Sequence, residues 1–203
     1  IPLYQIYKNY GLKKVIISTY QATSGAGNMG MAELEEETRK VLNGEKAGNK
    51  LFSHPIPFNV IPHIDTFQES KYTREEMKVV WETHKIFGNE NIPISCTCVR
   101  IPIMRAHSES IVVETNKPVN PEEVRKIFEN TSGIVVRDDI ENNVYPMPLT
   151  SSEKYGVEVG RIRQNLIFKE HGLEFFVSGD QLLKGAALNA VQIGELVVKE
   201  RFS

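Results

Sequence analysis

The sequence has little of several residue types, and each shortage excludes a class of protein. Its 203 residues include only two cysteines, Cys96 and Cys98, which are too few for a disulfide scaffold and indicate a reducing compartment. No apolar run approaches the roughly 20 residues that a membrane-spanning helix needs. Neither charge sign is in excess, because 24 Lys and Arg face 26 Asp and Glu, whereas a nucleic-acid or membrane-surface protein would be strongly basic. We therefore expect a cytoplasmic protein with no nucleic-acid or membrane partner.

What is present is typical of a globular protein. Hydrophobic residues make up 40% of the chain and charged residues 25%, and the length suits one large domain or two small ones. The sequence begins at Ile1 rather than Met, so we expect a processed protein or a piece of a longer one.

The order of predicted elements favours an α+β fold. Thr73-Arg74-Glu75-Glu76 is a capping box that predicts a helix start. Other helices are predicted at 1–10, 31–42, 121–130 and 181–201, and strands at 15–20, 94–102, 107–115, 134–136, 157–163 and 175–178. Because helices and strands do not alternate regularly, a doubly wound parallel sheet is disfavoured.

One motif imitates a dinucleotide-binding turn. Gly25 to Gly30 match GxGxxG between a predicted strand and helix, but Gln21 to Ser24 intervene after the strand. The segment that should supply the second strand, about 20 residues on, is interrupted by Pro55 and Pro57. The pattern favours a flexible glycine loop, or a loop that approaches a ligand closely.

Few residues suggest chemistry on spacing alone. Cys96 and Cys98 alternate with Thr97 in an apolar strand, so both are expected to be buried and inert, without a metal site. His107 lies close to two arginines and Glu109, and is a candidate acid/base or a surface histidine. Arg100 ends a strand, where its planar fork suits a carboxylate or phosphate if it is not simply a surface arginine.

Glu75 and Lys78 are three residues apart on one predicted helix. Such a pair is usually a solvated contact that contributes about 0.2–0.5 kcal/mol. On spacing alone, the pair indicates no chemistry.

Four stretches of the sequence resemble aspartate-β-semialdehyde dehydrogenases. They are Ser18-Thr-Tyr-Gln-Ala-Thr-Ser-Gly-Ala-Gly27, Thr73-Arg-Glu-Glu-Met-Lys78, Cys98-Val-Arg-Ile-Pro with Ala-His-Ser-Glu109, and Gly179-Asp-Gln-Leu-Leu-Lys-Gly-Ala-Ala-Leu-Asn-Ala-Val-Gln192. The resemblance covers the catalytic and dimerisation region of the family rather than its dinucleotide-binding half. It implies a mixed, mostly antiparallel sheet with helices on one face, like the C-terminal domain of glyceraldehyde-3-phosphate dehydrogenase.

The resemblance also implies an activity, a cofactor and site residues. The family reduces aspartyl phosphate to aspartate semialdehyde with NADP and releases phosphate, in the route to lysine, threonine and methionine, as a homodimer or homotetramer. Matched by position, the implied roles are acid/base for His107, substrate binding for Gln21, Glu75 and Arg100, phosphate binding for Lys78, and cofactor contact for Ser24, Gly25 and Gln181. No metal is implied.

The resemblance has one departure. The family's nucleophilic cysteine lies in an Asn-Cys-(Ser/Thr)-(Ser/Thr) motif that this sequence lacks, and we expect that motif just upstream of residue 1. We accordingly divide the chain into a catalytic and dimerisation domain, 1–178, and a terminal helix, 179–203, that would pack on a dinucleotide-binding domain. In isolation that helix is expected to be frayed or covered by another chain, and the chain alone is expected to be inactive.

Two other interpretations remain open on the sequence. The first is an N-acetyl-γ-glutamyl-phosphate reductase, which shares the chemistry and architecture. The second is a non-catalytic interaction module that retains the fold.

Overall fold

The computed structural model describes residues 1–202 and is built around a six-stranded sheet. The strands are β1 (Lys14–Gln21), β2 (Ile94–Arg100), β3 (His107–Glu114), β4 (Ile134–Val136), β5 (Val157–Gln164) and β6 (Gly172–Gly179). The helices are α1 (Pro2–Tyr10), α2 (Gly27–Leu42), α3 (Arg74–Phe87), α4 (Pro121–Glu129), α5 (Pro148–Ser151) and α6 (Leu188–Phe202). Short 3₁₀ turns lie at Thr23–Ala26 and Lys169–His171, and a π-helical segment lies at Leu183–Ala187.

The sheet has the strand order β2-β1-β3-β6-β5-β4. The β1/β2 and β4/β5 pairs are parallel, whereas β1/β3, β3/β6 and β5/β6 are antiparallel. The predicted α+β class with a mixed, mostly antiparallel sheet is therefore confirmed.

The main core lies on one face of this sheet. Strand residues alternate between the two faces, and along β1 the buried positions are Val15, Ile17, Thr19 and Gln21. Side chains of α1, α3 and α4 pack against the same face, among them Ile6, Val79 and Phe128. The opposite face carries exposed apolar side chains, including Ile16, which is 46% exposed.

Local sequence signals account for the ends of α3. The Thr73 hydroxyl accepts a hydrogen bond from the Glu76 amide, and the Glu76 carboxylate accepts one from the Thr73 amide at 2.7 Å, which completes the predicted capping box. Gly88 ends the helix in the left-handed conformation, with φ of 63°, which glycine adopts without a steric penalty.

The structure changes two predicted boundaries. Helix α2 begins at Gly27 rather than residue 31, because a 3₁₀ turn at Thr23–Ala26 leads directly into it. The terminal helix is interrupted by the π-helical segment before α6 begins at Leu188. Within residues 1–202, no helix is long and apolar enough to cross a membrane.

Candidate active site

Three of the predicted site residues lie on one row across the end of the sheet. Gln21 pairs with Arg100 in the parallel β1/β2 register. Because Tyr20 pairs with Ser108 on the other side, Gln21 lies next to His107, the first residue of β3. The register of three strands thus brings together residues that are far apart in the sequence.

The backbone of Ala22 connects two of these side chains. Its carbonyl accepts a hydrogen bond from Nη1 of Arg100 at 2.5 Å, and its amide donates to Nδ1 of His107 at 3.1 Å. Because Nδ1 accepts this hydrogen bond, the proton of the neutral imidazole is on Nε2. The ring therefore offers a hydrogen-bond donor on the side away from Ala22.

The environment of His107 favours that neutral form. Burial, and then the positive charge of Arg100, lower the pKa of His107 to about 4. A hydrogen bond with the Ala106 backbone, and then the charges of Glu75 and Asp180, raise the pKa but do not cancel this shift. At neutral pH the imidazole is uncharged and can donate a hydrogen bond from Nε2.

Arg100 is a buried cation with unused hydrogen-bonding capacity. Its side chain is 6% exposed, and Nε has no hydrogen-bond partner among the described residues. A buried donor without a partner is destabilising unless a ligand or water satisfies it. A guanidinium with free donors fits a carboxylate, which it can bind through two parallel hydrogen bonds.

Gly25 borders the space between Arg100 and His107. A β-carbon built on Gly25 would lie 2.8 Å from Nη1 of Arg100 and 3.2 Å from Nε2 of His107. Only glycine leaves these two side chains undisturbed at this position.

A second cluster joins the sheet end to the first turn of α3. Gln21 donates through Nε2 to Glu75 at 3.1 Å, and Lys78 donates to the other oxygen of Glu75 at 3.0 Å. The Thr19 hydroxyl donates to the Gln21 carbonyl oxygen at 3.0 Å and so orients the amide. Burial raises the pKa of Glu75, but the hydrogen bonds from Gln21 and Lys78 and the nearby cations outweigh it, so the pKa lies below its usual value. Glu75 is thus held as a carboxylate beside an ammonium group whose pKa it raises.

The third cluster contains the residues predicted to contact a cofactor. Nε2 of Gln181 donates to the Ser24 hydroxyl, and Oε1 of Gln181 is buried without a partner in the described part of the chain. Asp180 fixes this turn, since its carboxylate accepts hydrogen bonds from Nε of Arg105 at 2.6 Å and from the Leu182 amide at 3.0 Å. The unused acceptor Oε1 of Gln181 fits a ligand that carries an amide donor.

All eight predicted site residues therefore lie in these three connected clusters. Sequence reasoning missed Ala22 and Asp180. Ala22 acts through its backbone, which gives no signal in the side-chain pattern. Asp180 had a usable signal, because an acidic residue just before a helix is a typical cap.

The structure also tests the non-catalytic interpretations of the two cysteines, Arg100 and the Glu75–Lys78 pair. Cys96 and Cys98 are buried on one face of β2, with their sulfur atoms 3.7 Å apart, as predicted. The hydrogen bond between them, and then burial, raise the pKa of Cys96, which disfavours a reactive thiolate. Arg100 is not a surface arginine, and the Glu75–Lys78 pair is more than a solvated contact because Gln21 shares it.

No dinucleotide-binding unit forms around the GxGxxG pattern. Its last four residues begin α2, and the strand that pairs in parallel with β1 starts only at Ile94. The motif is a coincidence of spelling, although Gly25 borders the site.

Comparison with known proteins gives a consistent family. The family described as "Semialdehyde dehydrogenase, dimerisation domain" matches residues 2–184. The aspartate-semialdehyde dehydrogenase of Aquifex aeolicus is 48% identical over 98% of this chain, which covers 59% of that relative. The chain thus spans about three fifths of the length of the curated relatives it matches.

Solved structures agree with this comparison. The structure of aspartate semialdehyde dehydrogenase II from Vibrio cholerae, complexed with ASA, is 42% identical and has a TM-score of 0.94 over 99% of this chain and 59% of that one. The enzyme from Candida albicans, solved with NADP, is 22% identical with a TM-score of 0.70 over 98% of this chain and 54% of that one, and it supports the fold alone. These folds are of the type found in the C-terminal domain of glyceraldehyde-3-phosphate dehydrogenase. The family match extends over residues 2–184 of this chain, and the predicted site residues lie together at one end of the sheet. The chain belongs to the semialdehyde dehydrogenase dimerisation-domain family.

Proposed function

We propose that the full-length protein is an NADP-dependent aspartate-semialdehyde dehydrogenase, which converts aspartyl phosphate to aspartate semialdehyde and phosphate in the route to lysine, threonine and methionine. The observation that carries the proposal is the buried Arg100 guanidinium, which has an unpartnered Nε and is linked through the Ala22 backbone to a neutral His107. A small substrate with a carboxylate would satisfy the donors of Arg100 and place its reacting carbon near His107.

The substrate's charges match the charges of the site. Arg100 binds the α-carboxylate, and the Glu75 carboxylate binds the ammonium group. Lys78, whose side chain is 44% exposed, is free to exchange its contact with Glu75 for the phosphate. Gln21, already anchored by Thr19 and Glu75, orients the substrate near the reacting carbon.

The chemistry needs a nucleophilic thiol. Cys96 and Cys98 do not fit this role, because both are buried. Attack of a cysteine thiolate on the acyl phosphate forms a C–S bond, breaks the C–O bond to phosphate and leaves a thioester. His107 donates a hydrogen bond from Nε2 to the oxygen on which negative charge develops, and so stabilises that charge without giving up its proton. Its low pKa keeps this proton available as a hydrogen-bond donor throughout the neutral range.

The residues at the Ser24–Gln181 cluster fit a nicotinamide cofactor. The unpartnered Oε1 of Gln181 suits the amide donor of a carboxamide, and Gly25 allows a planar ring to approach the backbone closely. The reduced cofactor NADPH, when bound, would supply the hydride that reduces the thioester to the aldehyde, and the C–S bond would break to release the thiolate.

The proposed partner is a second copy of the chain, bound through the sheet face that the long helices leave open. Ile16 and Tyr20 lie on this face and are exposed, and Tyr20 packs against Phe176 with ring centroids 6.1 Å apart. If the face is the interface, Ile16→Asp should shift the full-length protein from dimer to monomer in sedimentation, whereas Ile140→Asp, on an exposed loop, should not. We also propose that residues 179–203 pack on the cofactor domain, since Val191, Ile193 and Leu196 are exposed on α6.

The experiment that tests the function is a comparison of two substrates in the full-length enzyme. NADPH formation is measured with phosphate and either aspartate semialdehyde or N-acetylglutamate semialdehyde. A preference for aspartate semialdehyde supports the proposal. In His107→Ala, turnover of that substrate should fall roughly 100-fold or more. Preference for the acetylated substrate would favour the reductase alternative, and no turnover of either would favour an interaction module.

A further inference from the structure

We propose that Glu33 and Phe52 are positioning residues for Arg100: Glu33 fastens residues 50–51 to α2, and Phe52 then holds the guanidinium in the orientation that binds the substrate carboxylate. This inference rests on the proposed function, because it takes Arg100 as the carboxylate-binding group. Neither residue touches the proposed substrate, so each would act through Arg100.

The first step is the pair of hydrogen bonds by which Glu33 holds residues 50–51. Its side chain is almost buried at 7% exposure, and its two carboxylate oxygens accept hydrogen bonds from the amides of Lys50 at 3.1 Å and Leu51 at 2.7 Å. Within the described residues, Glu33 has no salt-bridge partner. A buried carboxylate whose hydrogen bonds go to loop amides fixes the path of that loop.

The second step is the position of Phe52, which directly follows residues 50–51 in the sequence. The Phe52 ring lies under the guanidinium, with Cζ of Arg100 5.8 Å from the ring centroid, within range of a cation–π contact. The tip of the ring lies close to α2, since a β-carbon built on Gly30 would lie 3.2 Å from Cζ of Phe52. The ring is therefore held between the helix and the arginine.

The third step is the way the same loop holds the backbone of Arg100. Ile61 donates its amide to the Arg100 carbonyl at 3.0 Å and accepts from the Arg100 amide at 2.8 Å. Ile61 is buried in a small apolar cluster with Leu34 and Ile56, against which Phe52 packs. The segment between α2 and α3 thus contacts Arg100 at both its backbone and its side chain.

These contacts matter because Arg100 itself has few constraints. Its guanidinium makes one hydrogen bond, to Ala22, and Nε is unpartnered among residues 1–202. One hydrogen bond leaves the plane of the fork free to rotate, and a carboxylate is bound well only when that plane is aligned with it. The Phe52 face supplies the missing constraint.

The test compares matched variants of the full-length enzyme in the direction that consumes aspartate semialdehyde and phosphate. Glu33→Gln retains the shape but leaves one loop amide without an acceptor, and Phe52→Leu removes the aromatic face. We expect each to raise the KM for aspartate semialdehyde about three- to tenfold, with the KM for phosphate and kcat changed less than twofold. Phe52→Tyr keeps the ring face and should retain the wild-type KM.

The controls are Glu35→Gln, on the exposed side of the same helix, and Phe58→Leu, on an exposed part of the same segment. Both should leave all constants unchanged. An unchanged KM for the semialdehyde in Phe52→Leu, or an equal rise in both KM values, would overturn the inference. If the wild type does not turn over aspartate semialdehyde, the proposed function falls as well. If it does and only the variant effect is absent, the function stands and this inference fails.

Discussion

Gly25→Ala is a steric probe of the space between Arg100 and His107. The backbone of Gly25 does not have a positive φ, so alanine is allowed there and the substitution adds only a methyl group. That methyl group would lie 2.8 Å from Nη1 of Arg100, which is closer than β-carbons approach such atoms, so the guanidinium must shift.

The size of the effect follows from how Arg100 is held. Its side chain is buried, and Nη1 is bound to the Ala22 carbonyl at 2.5 Å, so a shift of a few tenths of an ångström moves the guanidinium out of alignment with the proposed substrate carboxylate. A hydrogen bond to a charged group contributes about 1.5–3 kcal/mol, which corresponds to a roughly 10- to 100-fold loss in kcat/KM. Because the moving atom is the end of a side chain, the free energy of unfolding should change by less than about 1 kcal/mol.

The assay is NADPH formation from aspartate semialdehyde by the full-length enzyme, with thermal unfolding measured in parallel. In an Arg100→Lys background, where Nη1 is absent, Gly25→Ala should cost less than about threefold more, because the two effects act through one contact. A wild-type kcat/KM in Gly25→Ala would refute the reasoning. Fully additive losses in the double variant would show that the methyl group acts elsewhere.

Two further predictions concern stability. The pKa of His107 is lowered to about 4 in the folded protein, against about 6.5 in the unfolded chain, so the unfolded state binds more protons between these values. The free energy of unfolding should therefore fall by on the order of 3 kcal/mol as the pH drops from about 6.5 to 4. His107→Asn should remove that part of the pH dependence, as measured by chemical denaturation at several pH values. An identical pH dependence in the variant would contradict the burial argument. Thr73→Ala removes one half of the capping box at α3 and should cost about 1–2 kcal/mol, whereas Thr66→Ala, at an exposed position, should cost less than about 0.5 kcal/mol; equal losses in the two variants would show that the cap contributes nothing specific.

Local features of the fold could be predicted from the sequence, and the contacts that build the site could not. The Thr73–Glu76 cap was predictable because both residues lie within one turn, and the buried face of Cys96 and Cys98 followed from strand alternation. The start of α2 was missed, because the 3₁₀ turn at Thr23–Ala26 has no strong sequence signal.

The site itself depends on long-range strand register. Gln21 and Arg100 meet because β1 pairs in parallel with β2 across the whole intervening segment, and periodicity in either strand does not fix that pairing. On residue type alone, the Glu75–Lys78 pair was indistinguishable from a surface contact. Resemblance to a family selected residues that the fold brings together, and the geometry explains how Ala22, which no pattern indicated, connects Arg100 with His107.

The central claim is that Arg100 binds the carboxylate end of the substrate and Lys78 binds the phosphate. The most direct test is a pair of KM measurements on the full-length enzyme, with aspartate semialdehyde and phosphate varied separately. Arg100→Lys should raise the KM for the semialdehyde about 10- to 100-fold and leave that for phosphate within about threefold, and Lys78→Gln should do the reverse. Lys85→Gln, on the exposed side of the same helix, should change neither. Equal effects of Arg100→Lys and Lys78→Gln on both constants, or no effect on either, would contradict the account.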